Sequence, residues 1–173
     1  MRRFVLAGIM AFCIATSTAS AAELKLGYID MQKALNTSEA GKGAKEQLAA
    51  KVKNYQEAIN VKQEEIKKLK DDLEKQGMLL SETVRAAKEK DYQQRLKEFQ
   101  RYTKDAEDEL RTKDEEFTRK ILEGMEKVIK EFGLKNGFTF IFAKNDAILV
   151  FANEKSDVTE EVLKLFNNAS RKK

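Results

Sequence analysis

Apolar residues recur every seven positions through the middle of the chain, at Val52, Ile59, Ile66, Leu73 and Leu80. Leu48, Tyr55 and Leu69 fill a second row, with Lys62 and Gln76 as polar interruptions. This a/d heptad pattern runs for about four to five heptads and predicts a left-handed coiled-coil seam. Ala, Leu, Glu, Lys and Gln dominate the segment, all good helix formers. The pattern breaks at QGMLLSETV, where Gly77 weakens a helix and Ser81 followed by Glu82 suits a new helix start. A second run then places Leu96, Thr103, Leu110 and Phe117 in one row, and Tyr92, Phe99, Ala106 and Lys113 beside it. After Phe117 the spacing changes to Ile121, Met125, Val128 and Phe132, a stutter that locally unwinds a supercoil. The reading is an antiparallel helical hairpin over residues 37–132 with its tip near 77–84. Its outgoing arm has about 44 residues, roughly 65 Å at the helical rise. One continuous rod bent at Gly77 is the alternative.

The flanks follow a different period. Phe138, Phe140 and Phe142 alternate with Thr139, Ile141 and Ala143. AKND then offers turn residues, and Ile148 to Phe151 form a second apolar run, which together read as a β-hairpin. Both of its faces are apolar, so neither suits water. A lone hairpin is marginal. The other strand candidate, LKLGYID (Leu24 to Asp30), reaches the two later runs only if the arm goes out and comes back. SDVTEEVLKLFNNA follows them. Asp157 or Thr159 can cap a helix there, with Val158, Val162, Leu163, Leu165 and Phe166 on its apolar face. That helix covers one side of the sheet. The other side stays apolar, and so small a core calls for oligomerisation. The fold class is therefore α+β: a long helical-hairpin arm on a small β-rich oligomerisation body made of residues 23–36 and 133–173. The candidate body residues are Tyr28, Ile29, Phe138, Phe140, Phe142, Ile148 and Val150.

At the N-terminus, Arg2 and Arg3 precede an apolar stretch from Phe4 to Ala15, and Ala19-Ser20-Ala21 matches a cleavage pattern. The expectation is a secretory signal peptide over residues 1–22, cleaved after Ala21 or Ala22. Its apolar core is shorter than the roughly 20 residues that span a bilayer. A retained anchor is one alternative. A lipoprotein at Cys13 is another, although bulky Phe12 sits where a small residue is wanted. Cys13 is the single cysteine, so the mature chain would have none and be held by packing alone.

Composition narrows the chemistry. There is no His, Trp or Pro. Without His or a mature Cys, most nucleophile–base arrangements are absent, and no phosphate-cradling glycine motif occurs. Asp71-Asp72 and Glu115-Glu116 lie on exposed helical pattern rather than in the shielded site that acid–base work needs. No loop clusters carboxylates for a metal. No catalytic, cofactor-binding or metal residue is assigned, and the chain reads as a non-enzyme.

Removing the two signal arginines leaves 31 basic against 29 acidic residues, and export separates the chain from nucleic acid. Residues 37–132 hold 22 basic and 22 acidic side chains. Lys75 to Lys104 has 8 basic against 4 acidic, and Asp105 to Glu116 has 2 against 7. Folding at the tip brings the acidic stretch beside Lys45, Lys51 and Lys53, although a merely solvated face accounts for the same charges. Met78, Leu79, Leu80 and Val84 at the tip, with Tyr92, Phe99 and Tyr102 on the return arm, exceed what one narrow seam buries. They are either an interaction surface or packing within an oligomer.

Taken in order, the signal peptide, LGYIDMQKAL, the helical hairpin, the Phe/Ile/Val-rich run and SDVTEEVLK resemble the periplasmic chaperone Skp family, also called OmpH-like. The likeness spans the mature chain. It implies a homotrimer whose β-rich body carries three helical arms around a cavity. Unfolded outer-membrane β-barrel proteins would be held there without ATP or any cofactor until delivery. It also implies that Met78, Leu79, Leu80, Val84, Tyr92, Phe99 and Tyr102 are candidate client contacts. The family's best-known members have strongly basic arms. The balanced arms here put lipid or lipopolysaccharide binding in doubt and leave only weak contact of the tips with a membrane surface. A structural coiled-coil spacer of the cell envelope is the rival reading.

Overall fold

The computed structural model describes residues 24–76, 79–145 and 147–171. The expected signal peptide, its cleavage site and Cys13 lie outside the described residues, as do Gly77 and Met78.

The chain begins with strand β1 (Leu26–Ile29), a short helix α1 (Met31–Thr37) and the long helix α2 (Glu39–Gln76). Helix α3 (Glu82–Lys135), 54 residues long, returns along α2. Strand β2 (Phe140–Ala143), a single 3-10 turn (Glu154–Ser156) and helix α4 (Thr159–Ser170) complete it. The pairs Lys51–Glu109 and Glu65–Arg95 are each centred on position 80, which fixes the arm as an antiparallel hairpin rather than a bent rod.

The heptad rows become the seam. Leu48, Tyr55, Ile59, Ile66, Leu69 and Leu73 are half-buried against Leu96, Phe99, Thr103 and Leu110, with Ala106 buried. Val52 is the exception and stays exposed; a straight helix drifts about 20° per heptad away from a fixed seam. The stutter has a different meaning from mere unwinding. Ile121 and Met125 are buried where α3 leaves the two-helix seam and enters the main core. That core joins Ile29, Ala34, Ala44, Val158, Val162 and Phe166 at the root of the arm.

Two glycines set the joints. At Ser38 the backbone turns extended, so α1 and α2 are separate helices, and Ser38 Oγ accepts the Gly41 N–H at 3.0 Å. A Cβ on Gly41 would lie 1.8 Å from the Leu35 carbonyl oxygen, so only glycine permits this close approach. At the end of α3, Gly137 takes a φ of +68°. Phe138 N–H then reaches Gly133 O at 2.9 Å while the Phe138 ring stacks on Phe132, which is a Schellman ending.

The ends of the arm meet as expected: β1 pairs with β2, in parallel, with Leu26 opposite Phe140 and Ile29 opposite Ala143. Parallel strands need a long crossover, and here the arm is that crossover. One expectation is overturned. Ile148 to Phe151 form no strand; the chain turns at Asn145, whose carbonyl accepts the N–H groups of Ile148 and Leu149. Among the described residues the sheet therefore has two strands rather than a hairpin plus a third. A run apolar on both faces gains from pairing only if both faces are covered, and within this chain Ile148, Val150 and Phe151 stay exposed.

Helix α4 packs on α1 and α3 with Val158, Val162, Leu163 and Phe166 buried, whereas Leu165 is exposed. Asp157 accepts the Thr159 N–H at 2.8 Å, and buried Thr159 accepts the Asp30 N–H at 2.9 Å. Val158 N–H donates to Tyr28 O at 2.9 Å, so the SDVT motif lines the second edge of β1.

Candidate functional surfaces

Alternation along the strands separates the sheet into two faces. Gly27, Ile29 and Ile141 face the core. Leu26, Tyr28, Phe140 and Phe142 share the opposite side, since side chains two apart in a strand point the same way. Phe140 is 55% exposed and Phe142 47%, and their rings stack at 5.9 Å. Beyond the turn, Ile148, Val150 and Phe151 are 78%, 89% and 86% exposed. The seven candidate body residues are thus not equivalent. Ile29 is core, Phe138 is half-buried with Lys25 Nζ 4.3 Å over its ring, and Tyr28 is half-buried. Phe140, Phe142, Ile148 and Val150 are exposed. Leu24 and Leu26 belong with the exposed set; the alternation within LGYI carries the signal for Leu26.

A second apolar feature is a cleft of about 590 Å³ between the inner side of the sheet and α3. It is lined by apolar Met31, Leu122, Ile129 and Ile141 together with charged Glu115, Arg119, Glu123 and Glu126.

On the arm, Met78 lies outside the described residues. Leu79 is 87% exposed, Val84 is exposed, and Leu80 is half-buried. Tyr92, Phe99 and Tyr102 are half-buried along the seam. Tyr102 meets Tyr55 edge-on at 6.0 Å, with Lys62 Nζ 5.0 Å from its ring centre. Next to them, Glu109 accepts from Lys51 Nζ at 2.6 Å and from Tyr55 Oη at 2.5 Å. Lys51, then Tyr55, hold the Glu109 carboxyl below its ordinary range. The hydrogen bond to Glu109 in turn pushes the Tyr55 phenol up to about 12. Of the lysines expected opposite the acidic stretch, Lys51 makes a cross-arm ion pair. Ser81 begins α3, as its sequence suits, but its hydroxyl lies 3.4 Å from Thr83 Oγ1 and makes no capping bond.

Among the described residues there is no cluster of three or more side chains able to hold a metal ion. No helix of the described residues is long and apolar enough to cross a membrane. What the geometry offers is surface: an apolar sheet face at one end, and a long arm with a charged exterior and an apolar seam.

A family model described as outer membrane protein (OmpH-like) matches residues 25–166. No curated protein matches the chain. Among solved structures, one from Caulobacter crescentus CB15, provisionally described as an outer membrane chaperone (OmpH-like), superimposes with a TM-score of 0.78. It covers 84% of this chain and 85% of its own at 11% identity, a likeness of fold.

Proposed function

The chain belongs to the OmpH-like family, and from that footing we propose that it is an ATP-independent periplasmic holdase. In this reading it binds unfolded outer-membrane proteins and keeps them from aggregating before delivery. Exported by the N-terminal signal, it works as a homotrimer and carries out no catalytic step. The observation that carries the reading is the contrast between the ends of the protomer. The core lies to one side of the sheet, while Leu26, Phe140, Phe142, Ile148, Val150 and Phe151 remain exposed. Exposed large apolar side chains in such number mark an interaction site, and burial between copies would join several arms at one body.

Such a chaperone needs numerous weak contacts rather than one tight site. Binding the unfolded client lowers its free concentration by mass action, so nucleotide hydrolysis is not required. Leu79, Leu80, Val84, Tyr92, Phe99 and Tyr102 remain the candidate contacts. The balanced charge of the arm does not favour strong attraction to an acidic membrane, so any contact of the tips with a membrane surface is weak. A fixed envelope spacer, the rival, would be served by fully filled seams; the outer seam here is only half-buried.

The test is to dilute a urea-denatured porin into buffer with and without the mature protein and follow light scattering. Suppression at near-stoichiometric protein supports the holdase. Equal scattering in both samples refutes it and returns the spacer.

A further inference from the structure

The arm is not held equally along its length. At its root, Ala44, Ile121 and Met125 are buried, and Ala106, one turn from Glu109, is buried in the seam. From Ala44 out to the tip and back to Ala106, no described residue is buried. The ties between the helices thin in the same direction. Lys51 and Tyr55 hold Glu109 at 2.6 and 2.5 Å. Farther out, Arg95 reaches Glu65 only at 3.8 Å, with both side chains about half exposed. Closer to the tip, no ion pair or hydrogen bond crosses the arm among the described residues. Each helix nevertheless carries its own support. Lys70–Glu74, Arg85–Glu89 and Asp91–Arg95 are ion pairs four apart, and Gln94 donates to Glu98 at 3.0 Å. Pairs of this spacing stabilise a helix without a partner, so parting the helices costs the seam but not the helices.

We propose that the outer half of the arm, beyond the Tyr55–Glu109–Lys51 tie, opens by separation of its two helices. The uncovered seam is then a contact surface for an extended, unfolded polypeptide. This rests on the holdase reading and deepens it. It is a motion within one arm, of its two helices relative to each other. The occupant follows from the surface: long rows of apolar residues flanked, between residues 56 and 108, by 12 basic and 13 acidic side chains select no sign and require no preformed partner face. A flexible chain meets those terms, whereas a folded protein needs matching shape. The half-burial of Tyr92, Phe99 and Tyr102 fits the same account, because residues covered in the closed arm become available on opening. Low-stability segments are where such motion is expected.

The mature chain lacks cysteine, so introduced thiols report without interference. The pair Glu65→Cys with Arg95→Cys, spin-labelled in the assembled mature protein, reports the separation of the outer arm by pulsed electron paramagnetic resonance. The expected result is two distance populations, the longer one rising about twofold or more when urea-denatured porin is added. A single narrow population, unmoved by porin, overturns the proposal. The same pair bridged by a short bismaleimide is expected to lose at least about half of its suppression of porin aggregation relative to the singly blocked thiols. Full suppression by the bridged protein overturns the role of the seam. If the unbridged protein also fails to suppress aggregation, the holdase reading and the seam's role fall together, while the distance populations still decide whether the arm opens.

Discussion

Thr159→Val isolates the network that ties the end of the chain to its beginning. The Thr159 side chain is wholly buried; its hydroxyl donates to Asp157 Oδ1 and accepts the Asp30 N–H at 2.9 Å. Valine keeps the shape, so no cavity opens, and only these bonds are lost. The Asp30 amide is left without its partner. Asp157 retains the Thr159 backbone N–H at 2.8 Å. Leaving such a donor unsatisfied costs about 1–3 kcal/mol. The assay is urea unfolding followed by far-UV circular dichroism at fixed protein concentration, because the proposed assembly would link stability to concentration. The midpoint should fall with the slope unchanged. Asp157→Ala and the double variant complete a cycle, with a coupling of about 0.5–3 kcal/mol expected. A Thr159→Val loss below about 0.3 kcal/mol, or a coupling of zero, refutes the network's role.

Gly137→Ala should destabilise by about 1–2 kcal/mol, because an L-residue is strained at a φ of +68°; an unchanged urea midpoint would remove the Schellman ending from the account. Ultraviolet titration of the tyrosines should show one phenol lagging to about 12, and Glu109→Gln should return it to the ordinary range near 10. Because the folded phenol binds its proton more tightly than the unfolded one, this contribution to stability is complete below pH 10 and lost as pH rises to about 12. Glu109 has the opposite sign: its lowered value contributes stability at neutral pH that is lost as pH falls through the carboxylate range. Phe140→Asp and Val150→Asp should dissociate the assembly in sedimentation, whereas a charge placed at exposed Gln63 should not; an assembled, active Phe140→Asp protein would show that the outer sheet face is not the assembly face.

Much of the arm was legible because its period is regular and its helix formers are strong. Ile59, Ile66 and Leu73 fall on the seam that their sevenfold spacing predicts. The change of step at Ile121 and Met125 is visible in the sequence, yet its meaning is tertiary: those residues join the core that gathers Ile29, Ala34, Ala44, Val158, Val162 and Phe166 at the root of the arm. The break at Ser38 was not legible, since no proline marks it and Gly41 acts through contact with Leu35 across the joint. Strand pairing was legible as a meeting of ends, but its parallel sense depends on the path of the arm. The run at Ile148 to Phe151 misled for a physical reason. The run lies beyond the turn at Asn145 with Ile148, Val150 and Phe151 exposed, so nothing within this chain covers them and pairing gains little. On the arm, ring-bearing residues read as surplus because the sequence does not reveal how wide the seam is; Tyr55 and Tyr102 fill it together with Glu109 and Lys62.

The most direct test is the mass of the species formed when denatured porin is diluted into the mature protein, measured by light scattering across size-exclusion chromatography. The account predicts one soluble species holding one porin and three copies of this chain. Porin lost to aggregate, with the protein eluting alone as a monomer, would contradict it.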